Sequence, residues 1–445
     1  MKSELDWSAY ADAGMGDAYA DIPKHGGDYG KAVSVCIRSG VCQRTPASGL
    51  MCPSFQVSGD PQLSPGGRVA LLKTVLNQAG AIRAPLNAEL RRAMDNCVSC
   101  KGCRRECENA LDMARIKIEY QAQQQATPGQ PRALRWRAEL LAHLPHWLHR
   151  YPALKPLVRW RNRSRLLARL GERWLQLAAC MTLPEPAPAP FAKYAQYRAA
   201  PEQCDLVLLI DSFAHHFEPQ IADAALALLQ RAGYRVALVG ALADDPEPRR
   251  PLCCGRTLLS QGRVAAARVE AQRTLAALNP YLAAGKAIVG LEPSCLLTLR
   301  DEYLALELGD GARSLADAAL LLEEFIAREQ QAGRWTLALA HSEPVQVFPH
   351  CHQRAFGATR SLRRVLKLIR GLTFNVADSS CCGMAGHYGL EAEHQPLSTA
   401  MASAAAATLD DELPVISNGF SCRHQQQQQG HRVEHLAQFL NRCSR

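Results

Sequence analysis

No run of 18 consecutive apolar residues occurs in the 445-residue chain, so no segment reads as a simple membrane-spanning helix. The first residues, MKSELDWSAYADAG, lack the basic-then-apolar order of a secretory signal. The expected location is therefore the cytoplasm, free or peripheral at the inner face of a membrane. Also missing is a GxGxxG fingerprint opening a helix after a strand, which removes the usual sequence sign of a dinucleotide site. Charge of one sign is not in large excess. The net charge is +9, and no nucleic-acid partner is expected. With 47% apolar and 21% charged residues the composition is that of a soluble globular protein, and the length allows two to four domains.

Cysteine, by contrast, is abundant. Seventeen are present, and in a reducing compartment disulfides do not persist, so metal or cluster ligation is the natural use. Seven lie between Cys36 and Cys107; seven more are Cys253, Cys254, Cys295, Cys351, Cys381, Cys382 and Cys422. Cys180, Cys204 and Cys443 stand alone and read as incidental thiols.

Cys97, Cys100, Cys103 and Cys107 follow the bacterial iron–sulfur spacing, in which three thiolates hold one cluster and the fourth reaches to a second. The complement upstream is Cys36, Cys42 and Cys52, the last followed by Pro53, with Ser39 where a fourth cysteine normally stands. If the fourth cysteines cross over, Cys52, Cys97, Cys100 and Cys103 form a complete set for one [4Fe–4S] cluster, and Cys36, Cys42 and Cys107 are one thiolate short. Ser39, another residue or water could complete that second set, a [3Fe–4S] cluster could form in place of [4Fe–4S], or the second cluster could be absent or labile; an atypical or labile cluster is the reading taken. Gly40 and Gly102 suit a chain wrapped closely round an inorganic core. A single structural zinc would not need seven cysteines.

Helical patterns over Arg68–Leu76 and Leu111–Tyr120 follow the two runs. Turn-rich residues are expected at Thr45–Gly49 and a domain boundary at Gln123–Gly129. From Arg132 to Arg173 there are eleven Arg or Lys against Glu139 and Glu172, with Trp136, Trp147, Trp160 and Trp174 among them. Such a segment reads as a helical hairpin packed on its own protein, with an anionic membrane surface or a partner subunit as alternatives.

Beyond Cys204 the texture is α/β. Strands are expected over Asp205–Ile210, Arg235–Gly240, Ala287–Leu291 and Val345–Phe348, and helices over Pro219–Gly233 and Leu315–Arg328. Cys253-Cys254-Gly255 is followed 41 residues after Cys254 by Cys295, and Cys381-Cys382-Gly383 is followed 40 residues after Cys382 by Cys422. Cys351 precedes the second pair; Ser212 holds the matching place in the first copy. Cys351, Cys381, Cys382 and Cys422 read as an iron–sulfur site, with zinc or free thiols as alternatives. Cys253, Cys254 and Cys295, helped by His215 or His216, read as a degenerate copy, a substrate- or partner-facing surface or a further metal site. His350, His352, His387, His394 and His424 read as structural or supporting residues beside the second copy.

The expected architecture is α/β overall. An extended lead-in (1–30) precedes an α-helical ferredoxin-like domain (31–122), a basic helical spacer (123–195) and two tandem α/β CCG repeats (196–340 and 341–445).

This motif order resembles the iron–sulfur part of FAD-linked 2-hydroxyacid dehydrogenases. The group takes in glycolate oxidase iron–sulfur subunits, the C subunit of anaerobic glycerol-3-phosphate dehydrogenase, and fused FAD/iron–sulfur D-lactate or D-2-hydroxyglutarate dehydrogenases. The phrases Gly49-Leu-Met-Cys-Pro-Ser54, Gly290-Leu-Glu-Pro-Ser-Cys295, Cys381-Cys-Gly-Met-Ala-Gly386 and Asn418-Gly-Phe-Ser-Cys-Arg-His424 look closest to the fused type. The resemblance implies electrons passing from a flavin, carried by a partner FAD-binding subunit, through the clusters to a quinone or another carrier. Nothing here resembles the FAD-binding domain, so this chain alone is not expected to oxidise a hydroxyacid. Similar repeats in heterodisulfide reductase hold non-cubane clusters, but there each ends in a further CxxC pair that Cys422-Arg-His424 lacks. A reductase of that kind and a zinc-holding scaffold are the rival readings.

Overall fold

The computed structural model describes residues 3–44, 49–78, 88–125 and 132–444. The turn expected at Thr45–Ser48 and most of the Gln123–Gly129 boundary lie outside them.

The N-terminal part is helical. Helices α1 (Gly27–Ser34), α2 (Pro53–Ser58), α3 (Pro65–Asn77), α4 (Ala88–Asp95), α5 (Gly102–Glu106) and α6 (Met113–Gln125) surround the cysteine loops. Local chemistry starts two of them: Pro53 and Pro65 occupy first turns, and the Ser64 hydroxyl accepts the Gly67 N–H (3.0 Å) as an N-cap. Ahead of α1 the lead-in has only a 3₁₀ turn, Ser8–Tyr10, yet it is anchored. Buried Glu119 of α6 accepts the N–H groups of Glu4 (3.0 Å) and Leu5 (3.0 Å) and the Trp7 indole N–H (3.1 Å), setting Trp7 into the core.

The basic segment forms α7 (Arg132–Ala142), α8 (Leu144–Arg150), α9 (Leu154–Arg163) and α10 (Arg165–Leu175). It is tied to the body of the protein through polar contacts. Arg137 pairs with Glu393 and, at 3.2 Å, with Glu391, while Arg161 donates to the Ala178 (2.6 Å) and Met181 carbonyls. Among the described residues no helix is long and apolar enough to cross a membrane.

Two parallel sheets follow. β1 (Leu206–Leu209), β2 (Val236–Leu238), β3 (Ala287–Gly290) and β4 (Ala319–Leu321) assemble in the order β2-β1-β3-β4. β5 (Leu339–Ala340) pairs with β7 (Ile369–Arg370). β6 (Val345–Val347), β8 (Phe374–Val376), β9 (Val415–Ile416) and β10 (Val433–Glu434) form the second sheet in the order β10-β9-β6-β8. The fold is thus α/β with a helical N-terminal domain. β1 and β3 are buried along their length and read as continuous apolar runs, as strands covered on both faces do.

One expected element differs. The helical pattern over Leu315–Arg328 is split: a helix ends at Ala318, Ala319–Leu321 pairs with β3, and a new helix runs from Leu322 to Gln331. Alanine and leucine are good helix formers, but propensity differences amount to less than about 1 kcal/mol per residue, and the ladder with buried β3 outweighs them.

Candidate metal centre

The cysteines gather at four places. Cys52, Cys97, Cys100 and Cys103 line one small cavity, while Cys36, Cys42 and Cys107 line another of about 250 Å³ together with Ser39. This is the crossed grouping. Its cause is local: Glu106, next to Cys107, accepts the N–H groups of Leu50 (2.7 Å) and Met51 (2.9 Å) with its two carboxylate oxygens and so draws Cys52 across to the Cys97–Cys103 loop. Gly102 lets that approach happen, since a Cβ there would stand 2.9 Å from Leu50 Cγ and 3.0 Å from the Met51 nitrogen. Gly40 serves differently, by taking the left-handed conformation (φ 72°).

Arg68 lies beneath the first cavity and has no exposed surface. Its Nη1 donates to Cys52 Sγ (3.3 Å), Nη2 to Ser54 Oγ (2.9 Å) and the Asn96 carbonyl (3.1 Å), and Nε to the Ala93 carbonyl (2.7 Å). No carboxylate pairs with it among the described residues. Burial would lower its pKa, yet the sulfurs of Cys52, Cys97 and Cys103 more than reverse this. A buried cation needs compensating charge, and ionised sulfurs beside it would supply most of it, with the Asp60 carboxylate farther off but within electrostatic reach. The thiols themselves are pushed the other way: burial, then neighbouring sulfurs, raises Cys100, and burial, then Asp112, raises Cys103. Four buried thiols beside an unpaired guanidinium fit a centre whose bound cations displace the thiol protons.

In the second cavity the Gly66 N–H donates to Cys42 Sγ (3.4 Å), and burial raises the Cys36 thiol, with Cys42 and Cys107 adding to the effect.

In the second repeat the sulfurs of Cys351, Cys381, Cys382 and Cys422 neighbour one another in succession, close enough for a thiol to stabilise an adjacent thiolate by hydrogen bonding. The bond from Cys381 brings Cys351 down to about 7 against the cost of burial, with help from His350. The Gly383 N–H donates to Cys381 Sγ (3.5 Å), as the Gly255 N–H does to Cys253 Sγ (3.5 Å) in the first repeat. The repeat seen in sequence is thus repeated in geometry.

In the first repeat the Cys254 sulfur lies between those of Cys253 and Cys295, close enough to interact with either, and the Ser212 hydroxyl adjoins Cys253. The hydrogen bond from Cys254 favours the Cys295 thiolate, but burial and the carboxylates of Asp211 and Glu292 outweigh it and push Cys295 up to about 12. The fourth polar group here is the Ser212 hydroxyl rather than a histidine: His215 pairs with Tyr194 (3.3 Å), and His216 packs edge-on against His215.

Around the second repeat, His387 contacts Gln261 (2.6 Å) and Glu391 (3.1 Å), His394 lies 2.7 Å from Glu391 and stacks on Tyr388, and His424 donates to the Thr182 carbonyl (2.8 Å). Glu391, Glu393 and His394 converge as a metal-binding group could, but Arg137 already pairs with both carboxylates.

The ferredoxin-like domain is wedged against both repeats. The His352 Nε2–H reaches the Ser99 carbonyl (3.0 Å), Ser380 Oγ donates to the Leu50 carbonyl (3.0 Å), and Cys100 shares an apolar cluster with Cys381 and Cys351. On the other side Lys101 is buried against Asp301, Glu302 (3.1 Å) and Asp112 (3.4 Å), and Arg256, just after Cys253-Cys254-Gly255, holds Glu302 (2.6 Å).

Arg68, Glu106 and Lys101 escape sequence reasoning. Arg68 alone left a trace, because it falls in register with Leu72, Val75 and Leu76 on the buried face of α3.

Comparison with known proteins agrees with this arrangement. Residues 32–111 match the 4Fe-4S dicluster domain, and residues 345–426 match the Cysteine-rich domain, so the chain joins an iron–sulfur module to a cysteine-rich one. It is 24% identical to a D-2-hydroxyglutarate dehydrogenase of Pseudomonas putida across 93% of this chain and 44% of that protein. It is also 29% identical to the C subunit of the anaerobic glycerol-3-phosphate dehydrogenase of Escherichia coli across 42% of this chain and 46% of that one. Lactate utilization protein A of Bacillus velezensis is 24% identical across 53% of this chain and 98% of its own length. The chain therefore spans less than half the length of the D-2-hydroxyglutarate dehydrogenases it matches. No solved structure matches it.

Proposed function

We propose that the chain is an iron–sulfur electron-transfer subunit or module. It receives electrons from the reduced flavin of a partner FAD-binding dehydrogenase acting on a 2-hydroxyacid, such as D-lactate, glycolate or 2-hydroxyglutarate, and delivers them to a quinone or another carrier. The substrate class and the flavin rest on the names of the relatives; the electron-transfer role rests on this chain's own cysteines.

The observation that carries the reading is Arg68, a fully buried guanidinium with no carboxylate ion-pair partner among the described residues, which donates to Cys52 Sγ and lies beside Cys97 and Cys103. Cys52, Cys97, Cys100 and Cys103 would hold a [4Fe–4S] cluster. Cys36, Cys42 and Cys107 would hold a second, with Ser39 beside the position that lacks a thiolate. Cys351, Cys381, Cys382 and Cys422 would hold a third redox centre. Cys253, Cys254 and Cys295 keep three thiols and Ser212, and we read the first repeat as the degenerate copy. When bound, such a cluster supplies a one-electron store whose potential depends on burial, net charge and hydrogen bonds to sulfur.

The protein's own groups provide those conditions. Arg68 adds positive charge and a hydrogen bond at Cys52, and the Gly102 N–H donates to Cys100 Sγ (3.4 Å). His352 and Ser380 fix the cysteine loops against the second repeat, so that Cys100, Cys381 and Cys351 belong to one apolar cluster. A short separation across packed apolar groups is what passage between centres requires.

Anaerobic purification with iron, sulfide and zinc analysis tests the reading. At least one cluster equivalent of iron and sulfide per chain is expected, whereas zinc without iron or sulfide overturns it. Capture of a flavoprotein from the native source, reducing the bound centres on addition of a 2-hydroxyacid, tests the partner.

A further inference from the structure

Helix α10 carries its apolar ridge on the outside. Leu166, Leu170 and Trp174 recur every four residues and are exposed, Leu166 and Trp174 at 68% and 70%, while Ala168 is the helix's single buried residue. Apolar residues four apart share one helix face, which in a globular protein normally turns inward. Arg165, Arg169 and Arg173 form the adjacent ridge, also exposed, and none pairs with a carboxylate among the described residues. The helix's one acidic residue, Glu172, is turned inward, where its Oε1 accepts the Ala179 N–H (3.1 Å). On neighbouring α9 a further indole, Trp160, is 66% exposed.

We propose that α10, with Trp160 beside it, is a docking surface for an anionic lipid bilayer. The argument is charge complementarity. Three guanidiniums, each one helical turn (about 5.4 Å) from the next, flank a continuous leucine–tryptophan ridge with no acidic residue facing out. A sheet of anionic headgroups meets such a row along its whole length, and the apolar ridge lies along the acyl boundary where indoles are favoured. The short, superficial α9–α10 pair lies along such a surface without spanning it. The inference is independent of the metal assignments.

The test is co-sedimentation of the anaerobically purified full chain with vesicles of phosphatidylglycerol mixed into phosphatidylcholine, against phosphatidylcholine alone. Binding only to the anionic vesicles, weakened by added salt, is expected. Changing Arg165, Arg169 and Arg173 together to Gln should weaken it about a hundredfold, roughly fivefold per arginine. Changing Leu166, Leu170 and Trp174 together to Ser should remove binding and the blue shift of tryptophan emission, with unchanged circular dichroism and iron content. No binding of the unaltered chain at low salt, or binding indifferent to both sets of changes, overturns the proposal. So does a result in which either set dissolves a dimer or prevents flavoprotein capture while leaving vesicle binding intact.

Discussion

His352 Nε2 and the Ser99 carbonyl oxygen lie 3.0 Å apart although 253 residues separate them in the chain. Ser99 sits between Cys97 and Cys100 in the left-handed conformation (φ 50°), and His352 follows Cys351. One hydrogen bond therefore joins the two best-supplied cysteine sites. Burial, with Arg256 and His350 adding to it, keeps His352 neutral, and a neutral imidazole still donates to a carbonyl.

Arg68→Gln should lower the reduction potential of the centre at Cys52, Cys97, Cys100 and Cys103. Loss of a positive charge beside the sulfurs penalises the added electron. At an effective dielectric of 20 and a few ångströms the shift is on the order of 100 mV. Redox titration followed by electron paramagnetic resonance measures it, and Arg68→Lys, which retains the charge, should recover most of the change. An unchanged potential in Arg68→Gln would place the centre elsewhere.

Ser39→Cys should raise the iron content or convert the paramagnetic signal of the second centre, because Ser39 lines the cavity of Cys36, Cys42 and Cys107. Cys100→Ala should abolish a signal from the first centre and leave the second. If Ser39→Cys alters neither iron nor spectrum, the crossed assignment fails.

Lys101→Met should destabilise the protein by about 3–5 kcal/mol, the usual consequence of removing one partner from a buried charge network. Asp301, Asp112 and Glu302 would lose the one fully buried cation that contacts all three, leaving the more exposed Arg104, Arg115 and Arg256. Burial would raise Asp301, yet Lys101 and the arginines hold it well below the usual carboxylate range. Thermal unfolding should show the helical domain separating from the first repeat at a lower temperature.

His216→Leu should flatten the acid side of the stability profile. Burial holds the imidazole down at about 3, and neither ring nitrogen has a hydrogen-bond partner. Below about pH 6.5 the unfolded chain binds a proton there that the native protein refuses, so the native state loses about 1.4 kcal/mol per pH unit as pH falls. Asp211, raised to about 7 by burial and Glu292, acts with the opposite sign between its unfolded pKa and pH 7. The readout is therefore the difference between the parent and the variant in denaturant unfolding. That difference should shift in the variant's favour from pH 6.5 to pH 4; parallel profiles would contradict the prediction.

Much of the cysteine arrangement was legible because it is local. Spacings such as those of Cys97, Cys100 and Cys103 place thiolates within one loop regardless of the rest of the fold, and the missing thiolate at Ser39 needed only a comparison of two short runs. Alternating βα texture and the two Cys-Cys-Gly copies were likewise visible, since apolar strand runs and repeats are properties of neighbours in sequence. Ser212 was legible as the substitute for a cysteine, but its place beside Cys253, with His215 turned to Tyr194 instead, was not.

What the tertiary structure alone decided are the meetings of distant residues. Arg68 against Cys52, Lys101 against Asp301, Glu119 against Trp7, and β4 in place of a continuous helix all depend on which surfaces come together after the chain has folded. A charged residue on a helix carries no local mark of whether it faces water or sulfur, and helix propensity is too weak to resist a buried strand ladder. Composition and spacing thus determined which thiols this protein owns; only long-range packing decided which of them gather together, and which buried charges set the field around them.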